Sequence, residues 1–277
     1  MSNLHVILRS VGGDNINRRP AFYSKDRCLS SLVEAKRMSG VPGELIFLND
    51  GPLPSYRSTF MASAGQVVAL PSVGNSRSHR TALALVDSRG WDDGDWVVLA
   101  EDDHLWLPEA FKSLAELRLA GVELVTFYNH PDYLRLPEHL RFAKRHQQQF
   151  ECSGGYVWRP VRSTVMSFGA RVGTLREWNW IHWLATRGPV PGDFDAWSTL
   201  CRVGSTRLIR LLVDTPSMRD GEILRRAAGR FAGRKRSTPL IFAPTTSLST
   251  HMQLGEMADG RDWESVAISL PAIPGST

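Results

Sequence analysis

The chain is poor in cysteine. Cys28, Cys152 and Cys201 are the only three in 277 residues, odd in number and widely spaced. This excludes a disulfide framework and a clustered zinc motif, and points to a reducing compartment. Each reads as a small core residue. Long apolar runs are also missing: no stretch approaches the ~18 to 20 residues of a membrane span. The start Met1-Ser2-Asn3-Leu4-His5 leads straight into a strand-like run, so no secretory leader is expected and a cytoplasmic location follows. Internal repeats and long linkers are absent. With 42% hydrophobic residues, 9 Trp and 11 Phe, the chain has enough apolar material for a substantial core.

Net charge is +5, and its distribution is uneven. Arg219, Arg225, Arg226, Arg230, Arg234, Lys235 and Arg236 stand against Asp220 and Glu222, which leaves 26 basic and 26 acidic residues elsewhere. The whole surplus therefore lies between Arg219 and Arg236. Such a segment suits a polyanionic partner, or else is a solvated loop.

The first half alternates strand and helix signals. Strands are expected over 5–10, 44–48, 66–70, 96–100 and 122–128, and helices over 27–38, 80–87 and 109–119. This alternation predicts an α/β fold with a doubly wound, mainly parallel sheet. From about residue 130 the pattern changes: a polar helix over 135–149, a Gly-containing strand or hairpin over 151–159, and a Trp-rich stretch with Trp178, Trp180, Trp183 and Trp197. Trp180 and Trp183, three apart, read as one buried helix face. We expect one domain over 1–270, its half 1–130 binding the donor and its half 131–270 building the acceptor side, with a frayed tail over 271–277.

The most telling feature is Glu101-Asp102-Asp103, delivered by the buried run Trp96 to Ala100. Ligands of open α/β sheets bind beyond the carboxyl ends of such strands. Three adjacent carboxylates there repel one another, and a divalent cation such as Mg²⁺ or Mn²⁺ relieves that repulsion. Extended geometry points Glu101 and Asp103 to one side and Asp102 to the other. An acidic loop facing water is the alternative.

Four strand-end pieces precede or include this triplet in a fixed order: Ser10-Val11-Gly12, Asn49-Asp50-Gly51, Gly74-Asn75-Ser76-Arg77-Ser78 and Glu101-Asp102-Asp103. The order resembles nucleotide-sugar glycosyltransferases of the GT-A fold, in particular the family 2-like group. The triplet is similar to their DXD-type motif, and Phe47 to Gly51 to their "DDG" element. Gly192-Asp193-Phe194-Asp195-Ala196-Trp197 with Gly204 resembles the "EDYDLW…G" segment, with Gly192 where the family usually has Glu. Ser247-Leu248-Ser249-Thr250-His251 resembles the closing "SL..H" segment.

The resemblance implies roles. Asp50 would bond the nucleobase, with Ser10 and Val11 lining its pocket; a turn-stabilising role is the alternative for Asp50. Asn75 and Ser78 would approach the nucleotide or donor sugar, unless they cap the helix. Arg77 or Arg80 would offset phosphate charge. Asp103 would be the main metal ligand and His251 the second, which favours Mn²⁺ over Mg²⁺. Glu101 or Asp102 would hold the ribose or the sugar. Asp193 would be the catalytic base, with Asp195 as the other candidate, in an inverting displacement. Tyr156, Trp158 and the tryptophans after 175 would be core or an acceptor platform.

The implied donor is a nucleotide-sugar, a UDP-sugar in first place. For the acceptor the expectation leans to a hydroxylated base in double-stranded DNA, as in phage DNA-modifying glycosyltransferases acting in a host cytoplasm, reached through Arg219 to Arg236. A lipid-linked glycan at an anionic membrane surface and a small-molecule acceptor are the alternatives. A metal-dependent nuclease or nucleotidyltransferase and a non-catalytic nucleic-acid-binding protein are rivals of other classes.

Overall fold

The computed structural model describes residues 2–186, 196–197, 200, 239–271 and 273–275. Cys201, Asp193, Asp195 and the basic segment Arg219 to Arg236 lie outside the described residues. The elements in order are β1 (Leu4–Val11), α1 (Lys25–Met38), β2 (Leu45–Asp50), α2 (Ser55–Ala64), β3 (Gln66–Leu70), α3 (Asn75–Ser88), β4 (Trp96–Glu101), β5 (His104–Trp106), α4 (Leu114–Leu119), β6 (Leu124–Val125), α5 (Asp132–Arg135), α6 (Pro137–Arg145), β7 (Phe150–Cys152), β8 (Tyr156–Val161), β9 (Phe168–Arg171), α7 (Val172–Ala185), β10 (Ile241–Pro244), β11 (Ser249–His251) and α8 (Trp263–Ser269).

The main sheet runs β3-β2-β1-β4-β9-β6-β10-β8-β7. Strands β1 to β4 are mutually parallel, while β9 inserts antiparallel between β4 and β6. This is the expected Rossmann-like, mostly parallel α/β sheet. Its central strands β1, β2 and β4 are largely apolar because both faces are covered, with polar residues at His5, Arg9 and Ser10 and at the strand ends. Successive side chains point to opposite faces. Val6, Leu8, Phe47, Val98 and Ala100 pack with Cys28, Leu29 and Leu32 of α1. Ile7, Ile46, Leu48, Val97 and Leu99 pack with Leu83 and Val86 of α3 and with Leu175, Trp178 and Ile181 of α7. Helix α1 starts where Ser24 accepts from the Arg27 amide, with Asp26 in its first turn and Lys36 and Arg37 in its last.

The sequence-based expectations fail where local pattern meets long-range demand. The helix expected over 109–119 forms only over Leu114–Leu119, since residues 107–112 make i→i+3 turns that bury Leu107, Ala110 and Phe111 together. The strand expected over 122–128 pairs only at Leu124–Val125; beyond it the Phe127 carbonyl accepts from Leu248 and Ser249 instead. The helix over 135–149 is two pieces, α5 and α6, ending at Arg145. Trp180 and Trp183 lie on one helix, but Trp183 is 45% exposed and packs under the Arg80 guanidinium. Trp158 and Trp197 are wholly buried. No described helix is long and apolar enough to cross a membrane.

One polar knot pins the start of the sheet. The buried Asp95 carboxylate accepts from the Asn3 amide at 2.7 Å, Asn3 Nδ2 at 3.3 Å, the Asp92 amide at 3.2 Å and His5 Nε2 at 3.3 Å. His5 Nδ1 accepts from the Glu44 amide at 3.1 Å, so its proton sits on Nε2. Burial lowers the His5 pKa despite Asp95, which keeps the ring neutral and stacked on Trp91 at 3.9 Å. Burial works against charge on Asp95, but the four donors hold its carboxyl below the usual 3.8. A depressed carboxyl contributes stability above its unfolded pKa and loses it as pH falls through the folded value. Asp95→Asn is therefore expected to cost about 2 kcal/mol at neutral pH, as for hydrogen bonds to a buried charge. Denaturant melts should show that gap closing below about pH 4.

Candidate active site

The carboxyl ends of β1 and β4, the loop between β1 and α1 and the start of α3 enclose a cleft of about 210 Å³. Arg9, Ser10, Val11, Arg19, Tyr23, Lys25, Asn75, Ser78 and the whole triplet line it, together with Asn15. The β1 and β2 exits meet backbone to backbone. A Cβ at Gly12 would stand 1.4 Å from the Pro52 carbonyl oxygen, which is why the loop needs glycine there.

The three carboxylates are each met by a buried cation. Arg9 is paired with Glu101 in the β1–β4 register, and its NH2 donates to Glu101 Oε1 at 2.6 Å. Its NH1 donates to Asn75 O at 3.0 Å, Asn75 Oδ1 at 2.7 Å and Ser78 Oγ at 3.2 Å, tying β1 to α3. Asp102 Oδ2 accepts from Ser10 Oγ and the Val11 amide, both at 2.9 Å, and lies 2.9 Å from Lys25 Nζ. Lys25 also donates to the carbonyls of Val11 and Gly13. Asp103 Oδ2 accepts from Arg19 NH2 at 2.8 Å.

Asp102 and Asp103 stand in the turn between β4 and β5 rather than in extended chain. Asp102 meets β1 at Ser10 and Val11, Glu101 meets it at Arg9, and Glu101 also comes together with Asp103 and His104. The ligating atoms of these last three lie within 4.8 Å of one another. His251 enters through a second, two-stranded sheet in which β11 pairs antiparallel with β5, His251 opposite His104. Its Nε2 is 3.2 Å from Asp103 Oδ2, its Nδ1 2.9 Å from Glu256 Oε2, and its ring stacks on His104 at 5.1 Å.

Several buried polar atoms are unmet here. Asp103 Oδ1, both ring nitrogens of His104 and the Tyr23 hydroxyl are buried without a hydrogen-bond partner. Burial opposes charge on Asp103, yet His251 above all, with Arg19, holds its carboxyl well below the usual range. Burial also opposes charge on His251, but Asp103 outweighs it and raises its pKa. Burial lowers His104 to about 3, so its ring is neutral with lone-pair density to offer. An orphaned carboxylate oxygen, a neutral imidazole, a second imidazole oriented by Glu256 and a nearby Glu fit a divalent cation, and the mixed N/O donors suit Mn²⁺ over Mg²⁺.

Two expected residues are engaged elsewhere. Asp50 accepts from the Val73 and Gly74 amides, both at 2.7 Å, and so fastens the loop before α3 rather than lining the cleft. Arg80 donates to Thr186 at the end of α7. Asn75 and Ser78 do not cap α3: the cap is Gly74, without a side-chain bond. The cleft's cations are instead Arg9, Arg19 and Lys25, which the sequence reading missed, along with His104, Tyr23 and Glu256. One signal was available: Arg9 interrupts an otherwise apolar buried strand, and such a charge needs a partner.

No protein-family model and no curated protein matches the chain. Its structure is similar to that of a mycobacterial protein (TM-score 0.42, 19% identity, 94% of this chain and 68% of that one). It is also similar to glucosyl-3-phosphoglycerate synthase from Mycobacterium tuberculosis, solved with Mn²⁺, UDP and phosphoglyceric acid (0.39, 18%, 63% and 57%). A third similar structure is S. aureus TarS residues 1–349 with UDP (0.42, 11%, 71% and 54%). The chain spans little more than half the length of the last two. These likenesses are weak, and the fold is defined by the strand order itself.

Proposed function

We propose that the chain is a metal-dependent glycosyltransferase of the GT-A kind, moving a sugar from a nucleotide-sugar, a UDP-sugar in first place, to an acceptor hydroxyl. The observation that carries this reading is the cleft itself. Three carboxylates and three buried cations meet at the strand ends, and Asp103 keeps one buried oxygen without a partner. Asp103, Glu101, His104 and His251 would hold the ion. When bound, it would stabilise charge on the departing nucleoside diphosphate as a Lewis acid. Arg9 and Lys25 set the positions of Glu101 and Asp102, which would receive ribose or sugar hydroxyls. The Tyr23 hydroxyl is a donor for a phosphate oxygen. Asp50 acts on the nucleobase side by fixing the 71–74 loop. Asp193 is assigned as the base, with Asp195 next to it, from the family resemblance alone, and inversion follows from direct attack.

For the acceptor, the basic segment Arg219 to Arg236 favours a polyanion, and a hydroxylated base in duplex DNA is the first candidate. Binding of duplex DNA that weakens steeply with salt would support it. Binding to anionic vesicles instead would transfer the assignment to a lipid-linked acceptor.

Thermal shift against UDP-, GDP-, dTDP- and CMP-sugars, with Mn²⁺ or with EDTA, tests the donor reading. At a hundredfold excess over Kd a ligand adds about 2.7 kcal/mol to the folded state. In a chain of this size that is a rise of about 5 to 10 °C. We expect this rise with UDP-sugars and Mn²⁺ only. No shift with any donor would refute the reading; with CTP added to the panel, a shift with CTP alone would mean nucleotidyl transfer.

A further inference from the structure

The three cleft cations are not equivalent. Arg9 belongs to β1 and also ties α3; Lys25 opens α1 and also caps the carbonyls that leave β1. Arg19 alone comes from a loop between elements. It alone is paired with the carboxylate that still has an unpartnered buried oxygen. Its guanidinium is nearly sealed from water, with 6% of the side chain exposed. It spans three segments: NH2 to Asp103, NH1 to Met252 O at 2.8 Å just past β11, and Nε to Asn15 O at 3.2 Å. The Tyr23 ring lies under it at 5.0 Å.

A buried carboxylate left without a cation is strongly destabilising. Asp103 therefore needs cationic partners when no metal is present. Arg19 and His251 both sit on its Oδ2, and of the two Arg19 is the one that is always charged and cannot itself ligate a metal. A guanidinium and a dication on the two oxygens of one carboxylate repel each other at close range in a poorly screened site. We propose that Arg19 is the stand-in cation of Asp103 in the metal-free protein, that a divalent ion displaces it, and that the released guanidinium, still in the cleft wall, becomes a receptor for the nucleotide diphosphate. Metal and nucleotide would then be coupled through one side chain, each strengthening the other by reciprocity. This rests on the reading of Asp103 as a metal ligand.

The test is calorimetric titration of Mn²⁺ alone, without nucleotide, followed by UDP at saturating Mn²⁺. Removing the competitor should make Arg19→Gln bind Mn²⁺ about tenfold tighter than wild type, within the usual range of site coupling. The same variant should bind UDP about tenfold more weakly. Arg18→Gln makes the same change in net charge one residue away, where the side chain reaches only Leu254 O at 3.4 Å, and it should leave both affinities unchanged. Arg19→Lys keeps a cation and should hold Mn²⁺ affinity near wild type. A merely structural Arg19 would lower Mn²⁺ and UDP affinity together, with a lower melting temperature. If Arg19→Gln binds Mn²⁺ no tighter than wild type while Asp103→Asn loses it, the exchange is wrong and the ligand assignment stands. If Asp103→Asn binds Mn²⁺ as well as wild type does, the ligand assignment fails and the exchange falls with it.

Discussion

Asp103→Asn is expected to remove the Mn²⁺-dependent part of UDP-sugar binding entirely and to lower sugar transfer by at least ~100-fold, the scale of losing a preorganised electrostatic group. No other described side chain gathers so many of the cleft's requirements. Its Oδ2 takes Arg19 and His251, its Oδ1 is the orphaned acceptor, and its backbone carbonyl holds the Met252 amide. An amide of the same shape keeps the packing but loses the charge, and it cannot satisfy two donors and a cation together. The metal-free variant should also be less stable, because Arg19 and His251 lose their anion. The measurement is therefore a difference: melting temperature with and without Mn²⁺ and UDP, in wild type and variant. A ligand-induced rise that survives the substitution would remove Asp103 from the metal site. The same electrostatics set a pH dependence. Asp103 raises the His251 pKa, so that ring must release a proton before it can ligate. Mn²⁺ affinity should accordingly rise with pH through the neutral range.

Arg9→Met should be the most damaging single change to the framework of the cleft. The guanidinium is 5% exposed and makes four hydrogen bonds, to Asn75 twice, Ser78 and Glu101. Breaking a buried ion pair by removing one partner costs about 3 to 5 kcal/mol. Glu101 keeps some access to water here, which places the expected loss near 3 kcal/mol, or ~6 to 12 °C in Tm. Urea unfolding monitored by Trp fluorescence would measure it. Arg9→Lys should recover only part, since one ammonium cannot reproduce a planar fork that spans α3 and β4. Donor binding should weaken in both variants, because Glu101 and Asn75 lose their fixed positions. If Arg9→Met melts like wild type, the β1–α3–β4 tie is energetically idle.

These expectations also show where the sequence was readable. The apolar runs of β1, β2 and β4 were legible because both faces of a central sheet are covered, so composition alone marks them; β3, a half-exposed edge strand, was legible from its short Val67-Val68-Ala69-Leu70 run. The triplet was legible because three adjacent carboxylates at the end of a buried strand repel one another unless partners offset their charge, with an acidic loop facing water as the alternative. The partners were not. Arg9 meets Glu101 across 92 positions, Asn75 across 66, and Arg19 meets Asp103 across 84. Which of 33 basic residues would fill those seats depends on sheet register and loop path, neither of which is written locally. Arg80 illustrates the difficulty: it lies beside the right loop, but α7 packs on α3 and Thr186 takes its guanidinium. The shortened β6 has the same cause. Val122 to Tyr128 has the composition of a seven-residue strand, but the Leu248–Ser249 segment claims Phe127.

The pairing of β11 with β5 has a consequence for how the protein is made. A chain emerging in order carries Asp103 and His104 long before it carries His251, 148 positions later. Until β11 arrives, β5 lacks its antiparallel partner, the Leu107 amide lacks the Leu248 carbonyl, and Arg19 lacks the Met252 carbonyl. Strands β1 to β4 pair among themselves from residues 4 to 101, whereas His251 is placed only through the long-range pairing of β11 with β5. The pairing around Asp103 therefore closes only once the residues near position 251 have been made.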